Sequence, residues 1–338
     1  MSQMRYQLKP MNIGDVLDYS VEAFKQNFKG IALLSLILYV PWVVIHSTLV
    51  NILVGNPLAD LVTTYGNFFS RTFTPDLFEK YSTNASLLTN VAALLLNLIQ
   101  MLYSITIKLV LNAAVIKMIY DYAISGEVKV KSFADVKTLI KDSFKFLPNM
   151  MGNAIIFSMV LGSAYFFAVM VGMFLIIIPG ILLSPMILFN PILIAIIIFF
   201  FAVFVVIGVL LAIAFFAVKF MFGANSIVIE RKSCFEGIQR SFYLTKGKFW
   251  HVAFTCLFAF LLYYLFNSLL VIAPTFLSLI NNTLFIVVNA FARICTAIVE
   301  PFILVFITII FINMKIQKEG LDLEIKMRML IENESQTT

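Results

Sequence analysis

With 2 histidines, 3 cysteines and 18 acidic residues among 338, this chain has little from which to build a reaction centre. Nucleophilic or acid–base catalysis needs a Ser, Cys or Lys beside a base, or two carboxylates, at a spacing that one site can use. No Ser/His, Cys/His or paired-carboxylate arrangement of that kind is present. Cys256 and Cys295 lie in apolar runs and Cys234 in a basic stretch, which gives neither a disulfide framework nor a metal spacing. His46 and His251 fall near opposite membrane faces and read as interfacial side chains. The expectation is a chain with no catalytic residue, no metal and no cofactor.

What remains are polar side chains set inside apolar runs. Asn97, Gln100, Ser104, Lys108 and Asn112 recur so that, at 100° per residue, they cover about a third of a helix circumference. Such a stripe in a membrane span faces the bundle interior or a wet cavity rather than lipid. Arg293 and Glu300, seven residues apart, share a face of a later run, and Pro301 can free a backbone carbonyl beside them. All three charges are expected to meet inside the bundle. One reading is structural: Glu300 neutralises Lys108 or Arg293, and the amides bond between helices for about 0.6 kcal/mol each. The other is a substrate or proton path. Lys108 also lies only nine residues from Lys117, close enough to snorkel to the basic rim.

The elements that would hold these residues are membrane helices. Residues 146–218 carry no Asp, Glu, Lys, Arg or His, and about 20 apolar residues cross a hydrocarbon core of about 30 Å. The chain is 61% hydrophobic and 12% charged, against about 25% charged in a soluble domain. The fold class is therefore all-α: a polytopic membrane helix bundle, one membrane domain over 1–338. Crossings are expected over about 31–54, 87–118, from 146, up to 219, 249–272 and 284–314, with Pro41 kinking the first and Pro179-Gly180 and Asn190-Pro191 bracketing an outer turn. Segments 1–29, 117–145, 219–248 and 315–338 hold 4, 6, 6 and 4 Lys plus Arg, whereas the outer loops hold only Arg71 and Lys80. By the positive-inside rule both termini are cytoplasmic and the crossings even in number. The net charge of +6 then reflects basic loops, not nucleic-acid binding. Asn84-Ala85-Ser86 and Asn281-Asn282-Thr283 match the glycosylation pattern, but so short a motif is better explained by chance.

An internal threefold repeat underlies the spans. Asn12/Asp15, Ser132/Asp135 and Ser233/Glu236 each have the capping-box spacing, each acid is followed ten residues later by Lys25, Lys145 or Lys246, and a hairpin follows each lysine. The pseudo-repeats cover 12–118, 132–219 and 233–314, with a tail over 315–338. Each is expected to open with an amphipathic helix lying on the membrane surface. Ile13, Leu17, Val21, Phe24 and Phe28 form one apolar side; Phe133, Val136, Leu139, Ile140 and Phe144 a second; Phe235, Ile238 and Phe242 a third. Lys25, Lys137, Lys141, Lys145, Arg240, Lys246, Lys248 and Trp250 are the expected lipid-surface contacts. A lysine near an anionic leaflet contributes about 1 kcal/mol.

Glu230 followed by Glu236-Gly237-Ile238-Gln239-Arg240-Ser241-Phe242-Tyr243-Leu244-Thr245-Lys246-Gly247-Lys248-Phe249-Trp250 resembles the signature of the membrane domain fused to some bacterial glycerophosphoryl diester phosphodiesterases. Ile13-Gly14-Asp15-Val16-Leu17-Asp18 is similar to that family's opening, and Lys318-Glu319-Gly320-Leu321-Asp322-Leu323-Glu324 to its ending, although Asn313, Lys315 and Gln317 stand where an acid and two arginines are expected. The resemblance implies a bacterial plasma-membrane protein. It does not imply phosphodiesterase activity, because that chemistry belongs to a separate barrel domain absent from this chain.

The expected function is a non-enzymatic integral membrane protein that binds membrane lipid at the anionic cytoplasmic leaflet, or another membrane protein, and serves membrane or envelope organisation. The alternative is a small transporter or permease using Lys108, Arg293 and Glu300. An intramembrane lipid enzyme lacks the residues it would need.

Overall fold

The computed structural model describes residues 9–53, 87–183, 191–278, 282–321, 323 and 327. Among them are twelve α-helices and no strand: α1 (Ile13–Leu38), α2 (Val40–Leu53), α3 (Leu87–Ser104), α4 (Ile107–Ser125), α5 (Phe133–Ser143), α6 (Leu147–Leu183), α7 (Pro191–Phe220), α8 (Gly223–Glu230), α9 (Cys234–Thr245), α10 (Phe249–Ser278), α11 (Asn282–Val299) and α12 (Phe302–Glu319). Five helical stretches among the described residues are long and apolar enough to span a membrane, and the bent pair α1–α2 makes a sixth. The apolar run over 146–218 forms two helices, as expected. Phe166, Phe167, Phe199, Phe200 and Phe204 on α6 and α7 lie 60–75% exposed, an arrangement suited to lipid rather than water. The outer loop with Arg71 and Lys80, and both glycosylation matches in part or whole, lie outside the described residues.

The chain divides into two compact units, one of Met1–Leu147 with Thr255–Thr338 and the other of Pro148–Phe254. In the first, α1, α4 and α12 pack pairwise. α4 is its centre: Val110, Leu111, Ala113, Ala114, Val115, Ile116 and Ile119 point in all directions around the helix and are fully or nearly fully buried. From α12, Val305, Phe306, Ile309, Ile310 and Phe311 complete the core.

All three capping boxes form, at Asn12/Asp15, Ser132/Asp135 and Ser233/Glu236. The first does not open a surface helix. α1 runs unbroken to Leu38, since nothing between Asn27 and Ile31 interrupts it. Its buried face is Val16, Tyr19, Ser20, Ala23, Asn27, Gly30, Ile31, Leu34 and Ser35, while Ile13, Leu17, Val21 and Phe24 are half-buried and Phe28 is exposed. Without a hydrophobic drive between helices in lipid, close approach favours small side chains; a Cβ on Gly30 would stand 2.9 Å from the Met118 sulfur. On α5 the expected apolar face divides. Val136 and Leu139 are buried, while Phe133 and Phe144 stay 64% and 50% exposed.

The N-terminal arm is fastened to α12 by an amide clamp. The Met11 N–H donates to Asn313 Oδ1 at 2.9 Å, and Asn313 Nδ2 donates back to the Met11 carbonyl at 3.0 Å. Gln317 Nε2 donates to Asn313 Oδ1 at 3.3 Å.

In the second unit, α6 continues through Pro179-Gly180 to Leu183 instead of turning there, as membrane helices tolerate such residues. Pro191 opens α7, where its missing N–H is not needed. Glu230 and the stretch from Glu236 to Ser241 form one structural knot around α8 and α9. Arg240 forks onto Glu230 at 2.8 and 2.9 Å. The Ser241 hydroxyl donates to the Lys219 carbonyl at 2.6 Å and accepts from the Phe222 N–H at 3.0 Å. A Cβ on Gly237 would lie 3.1 Å from the Gly223 carbonyl oxygen, so only glycine lets α9 rest on α8 this closely.

Candidate functional site: an ion pair among broken helices

Three of the spans in the first unit are discontinuous, each for a local chemical reason. Pro41 cannot donate to the carbonyl one turn earlier, and α1 ends at Leu38 with a 48° bend into α2. Between α3 and α4 the hydroxyls of Ser104 and Thr106 donate back to the Gln100 and Leu102 carbonyls at 2.8 and 2.6 Å, a competition that bends helices. Ile105 and Thr106 leave the helix there. Pro301 separates α11 from α12 in the same way as Pro41.

The breaks converge. Lys108, in the first turn of α4, meets Glu300 at 2.6 Å, and both side chains are less than a third exposed, at 30% and 28%. The Lys108 ammonium also sits 5.1 Å from the centre of the Tyr39 ring, and the Tyr39 hydroxyl faces the Glu300 carboxylate. Tyr103 stacks against Tyr39 and Trp42 and donates from its hydroxyl to the Leu38 carbonyl at 2.6 Å. That bond occupies a carbonyl at the α1–α2 break. Lys108 is nine residues from Lys117, Tyr39 ten from Lys29 and Glu300 fifteen from Lys315. At 1.5 Å per residue the cluster stands roughly 13–22 Å above the basic end, near mid-membrane. A cation at a helix N-terminus is disfavoured by the helix dipole, whereas a carboxylate just ahead of α12 is favoured. Glu300 therefore answers both the charge of Lys108 and the dipole of α12.

The expected five-residue stripe does not hold together. The break at Ile105–Thr106 ends the 100° extrapolation, leaving Asn97 exposed, Ser104 turned onto its own backbone, Asn112 half-buried and only Lys108 in the cluster. Gln100 accepts from Trp42 Nε1 instead. Arg293 does not join Glu300 either. Two helical turns separate them along α11, roughly 10 Å, more than either side chain spans in this packing.

Arg293 lines a separate cleft of about 320 Å³, together with Asn289 from α11, Gln100 from α3, and Tyr39, Val43, His46, Ser47 and Val50 from the α2 side. His46 Nε2 is buried there with no hydrogen-bond partner, which costs about 1–3 kcal/mol. His46, expected as an interfacial side chain, lines this cleft instead of standing alone, and Asn289 joins it without having been expected. The usable signals were helical: His46 stands seven residues after Tyr39, and Asn289 four before Arg293.

In the first unit Lys25, Lys137 and Lys141 are exposed, and in the second Lys246, Lys248 and, at 67%, Trp250. Arg240 is bound to Glu230 rather than free for lipid. Lys145 and Lys117 share Asp142 at 2.8 and 3.3 Å, and these lysines hold its carboxyl below the usual carboxylate range. Backbone N–H groups of the capping boxes likewise lower the Asp135 and Glu236 carboxyls. No group of three His, Cys, Asp or Glu side chains suited to a metal occurs among the described residues. Set against protein-family models, curated proteins and solved structures, the chain matches none.

Proposed function

We propose that the protein is a non-enzymatic integral membrane protein that binds anionic lipid through a basic, aromatic rim and uses the Lys108–Glu300 pair to lock three broken helices together. The rim is the observation that carries this reading. On α5, Phe133 and Phe144 are exposed next to exposed Lys137, Lys141 and Lys145. On α9 and the start of α10, Phe235, Tyr243 and Trp250 are exposed next to Lys246 and Lys248. Aromatic rings seat at the headgroup level and lysines draw on anionic lipid. The charge asymmetry supports placing this rim, and both termini, in the cytosol, and the α8–α9 residues that resemble the phosphodiesterase-linked membrane domain support a bacterial plasma membrane.

The test is lipid retention by the full-length protein. Wild type should keep phosphatidylglycerol in preference to phosphatidylcholine through detergent washing, and Lys137→Glu with Lys141→Glu should abolish the preference without unfolding the bundle. Unchanged preference in a folded variant refutes the rim reading. A transporter is the second reading, favoured by the convergence of three helix breaks on a mid-membrane charge pair, the arrangement by which carriers expose backbone to substrate. It requires solute flux in proteoliposomes that Glu300→Gln and Lys108→Met impair.

A further inference from the structure

We infer that the cleft between α2, α3 and α11 is a binding site for a phosphate group, from a phospholipid headgroup or a free organic phosphate, with Arg293 as its charged anchor. The site lies apart from the basic rim and shares only Tyr39 with the Lys108–Glu300 cluster; its anchor is Arg293, so either of those readings can fail without overturning it.

The case begins with a charge that has no answer. Arg293 is set within a span, where a charged side chain pairs with another or faces water. Lys108 has Glu300, but Arg293 has no carboxylate partner among the described residues. Its cleft contains no acid. It holds donors, the Arg293 fork and the Asn289 and Gln100 amides, while the Ser47 hydroxyl is turned onto the Val44 carbonyl. The His46 Nε2 atom is buried and unbonded; because the ring already donates to the Leu96 backbone, Nε2 becomes a donor only when an anion beside it favours a second proton. A guanidinium and two amides with no carboxylate among them match an oxyanion, and a guanidinium binds phosphate by two parallel hydrogen bonds. A volume of about 320 Å³ suits a headgroup rather than a whole lipid.

The structure also provides a reporter. Trp42 Nε1 donates to Gln100, a cleft residue, and the chain has only 2 tryptophans, so a Trp250→Phe background leaves Trp42 alone. Full-length protein in a neutral detergent is titrated with dihexanoyl phosphatidylglycerol, inorganic phosphate and dihexanoylglycerol, which lacks phosphate. A saturable change in Trp42 emission is expected with a phosphate-bearing probe and not with dihexanoylglycerol, and Arg293→Gln should weaken it at least tenfold. Response to the lipid but not to inorganic phosphate assigns the headgroup; response to both with similar affinity assigns a free phosphate. If Arg293→Gln does not fold, Asn289→Leu is used with the same expectation. Absence of saturation by both phosphate probes, equal response to dihexanoylglycerol, or unchanged affinity in the folded variant overturns the proposal.

Discussion

At the scale of single residues the account turns on Lys108 and Glu300. A pair less than a third exposed contributes little net stability over an apolar substitute, yet losing one member strands the other, at about 3–5 kcal/mol. Lys108→Met alone should therefore lower stability in detergent by that amount, and Lys108→Met with Glu300→Gln should recover most of it. A double variant as damaged as the single one would show that the charges do not act on each other. That these two residues matter was legible from their rarity inside apolar runs. That Arg293 leaves them follows from the same seven-residue spacing, which sets it about 10 Å away along the axis even on a shared face. The Asn313 clamp on Met11 was invisible: its partners are 302 residues apart, and a backbone carries no sequence signature of what will bind it.

At the scale of elements, caps were readable and breaks only partly so. A capping box is local, so three of them could be placed from spacing alone. Pro41 and Pro301 mark two breaks for an equally local reason, but the Ser104–Thr106 break rests on hydroxyl groups that elsewhere sit quietly in helices. The capping acids fix a pH response. Asp135 and Glu236 ionise more readily in the folded protein than in an unfolded chain, so their contribution is complete above their ordinary values of 3.8 and 4.5 and is lost as pH falls through the lower folded values. Hydrogen exchange at the starts of α5 and α9 should stay slow from neutral pH to about 4.5 and quicken only below 3.8, after correction for intrinsic rates. Asp135→Asn should quicken exchange in α5 at neutral pH. Between α8 and α9 the prediction is steric. Gly237→Ala places a methyl 3.1 Å from a backbone carbonyl that cannot step aside, and should cost about 1–3 kcal/mol, read as a lowered melting temperature. A melting temperature equal to wild type would mean that α9 lies further from α8 than described.

For the whole molecule the sequence conveyed the solvent: long uncharged runs with basic flanks leave lipid as the only medium in which such helices are stable. It conveyed less about which helix is central. α4 is buried on every side, and a helix that is apolar all round carries no pattern pointing to its neighbours. α1 looked like a surface helix for a related reason: an apolar face does not say whether lipid headgroups or another helix lies against it. The central claim is that the basic rim faces the anionic cytosolic leaflet while the spans lie in lipid, and accessibility measures it most directly. In a cysteine-free background, Lys137→Cys and Lys246→Cys should react with a membrane-impermeant maleimide in inside-out vesicles and stay unmodified in intact cells. Labelling of either position in intact cells would contradict the account.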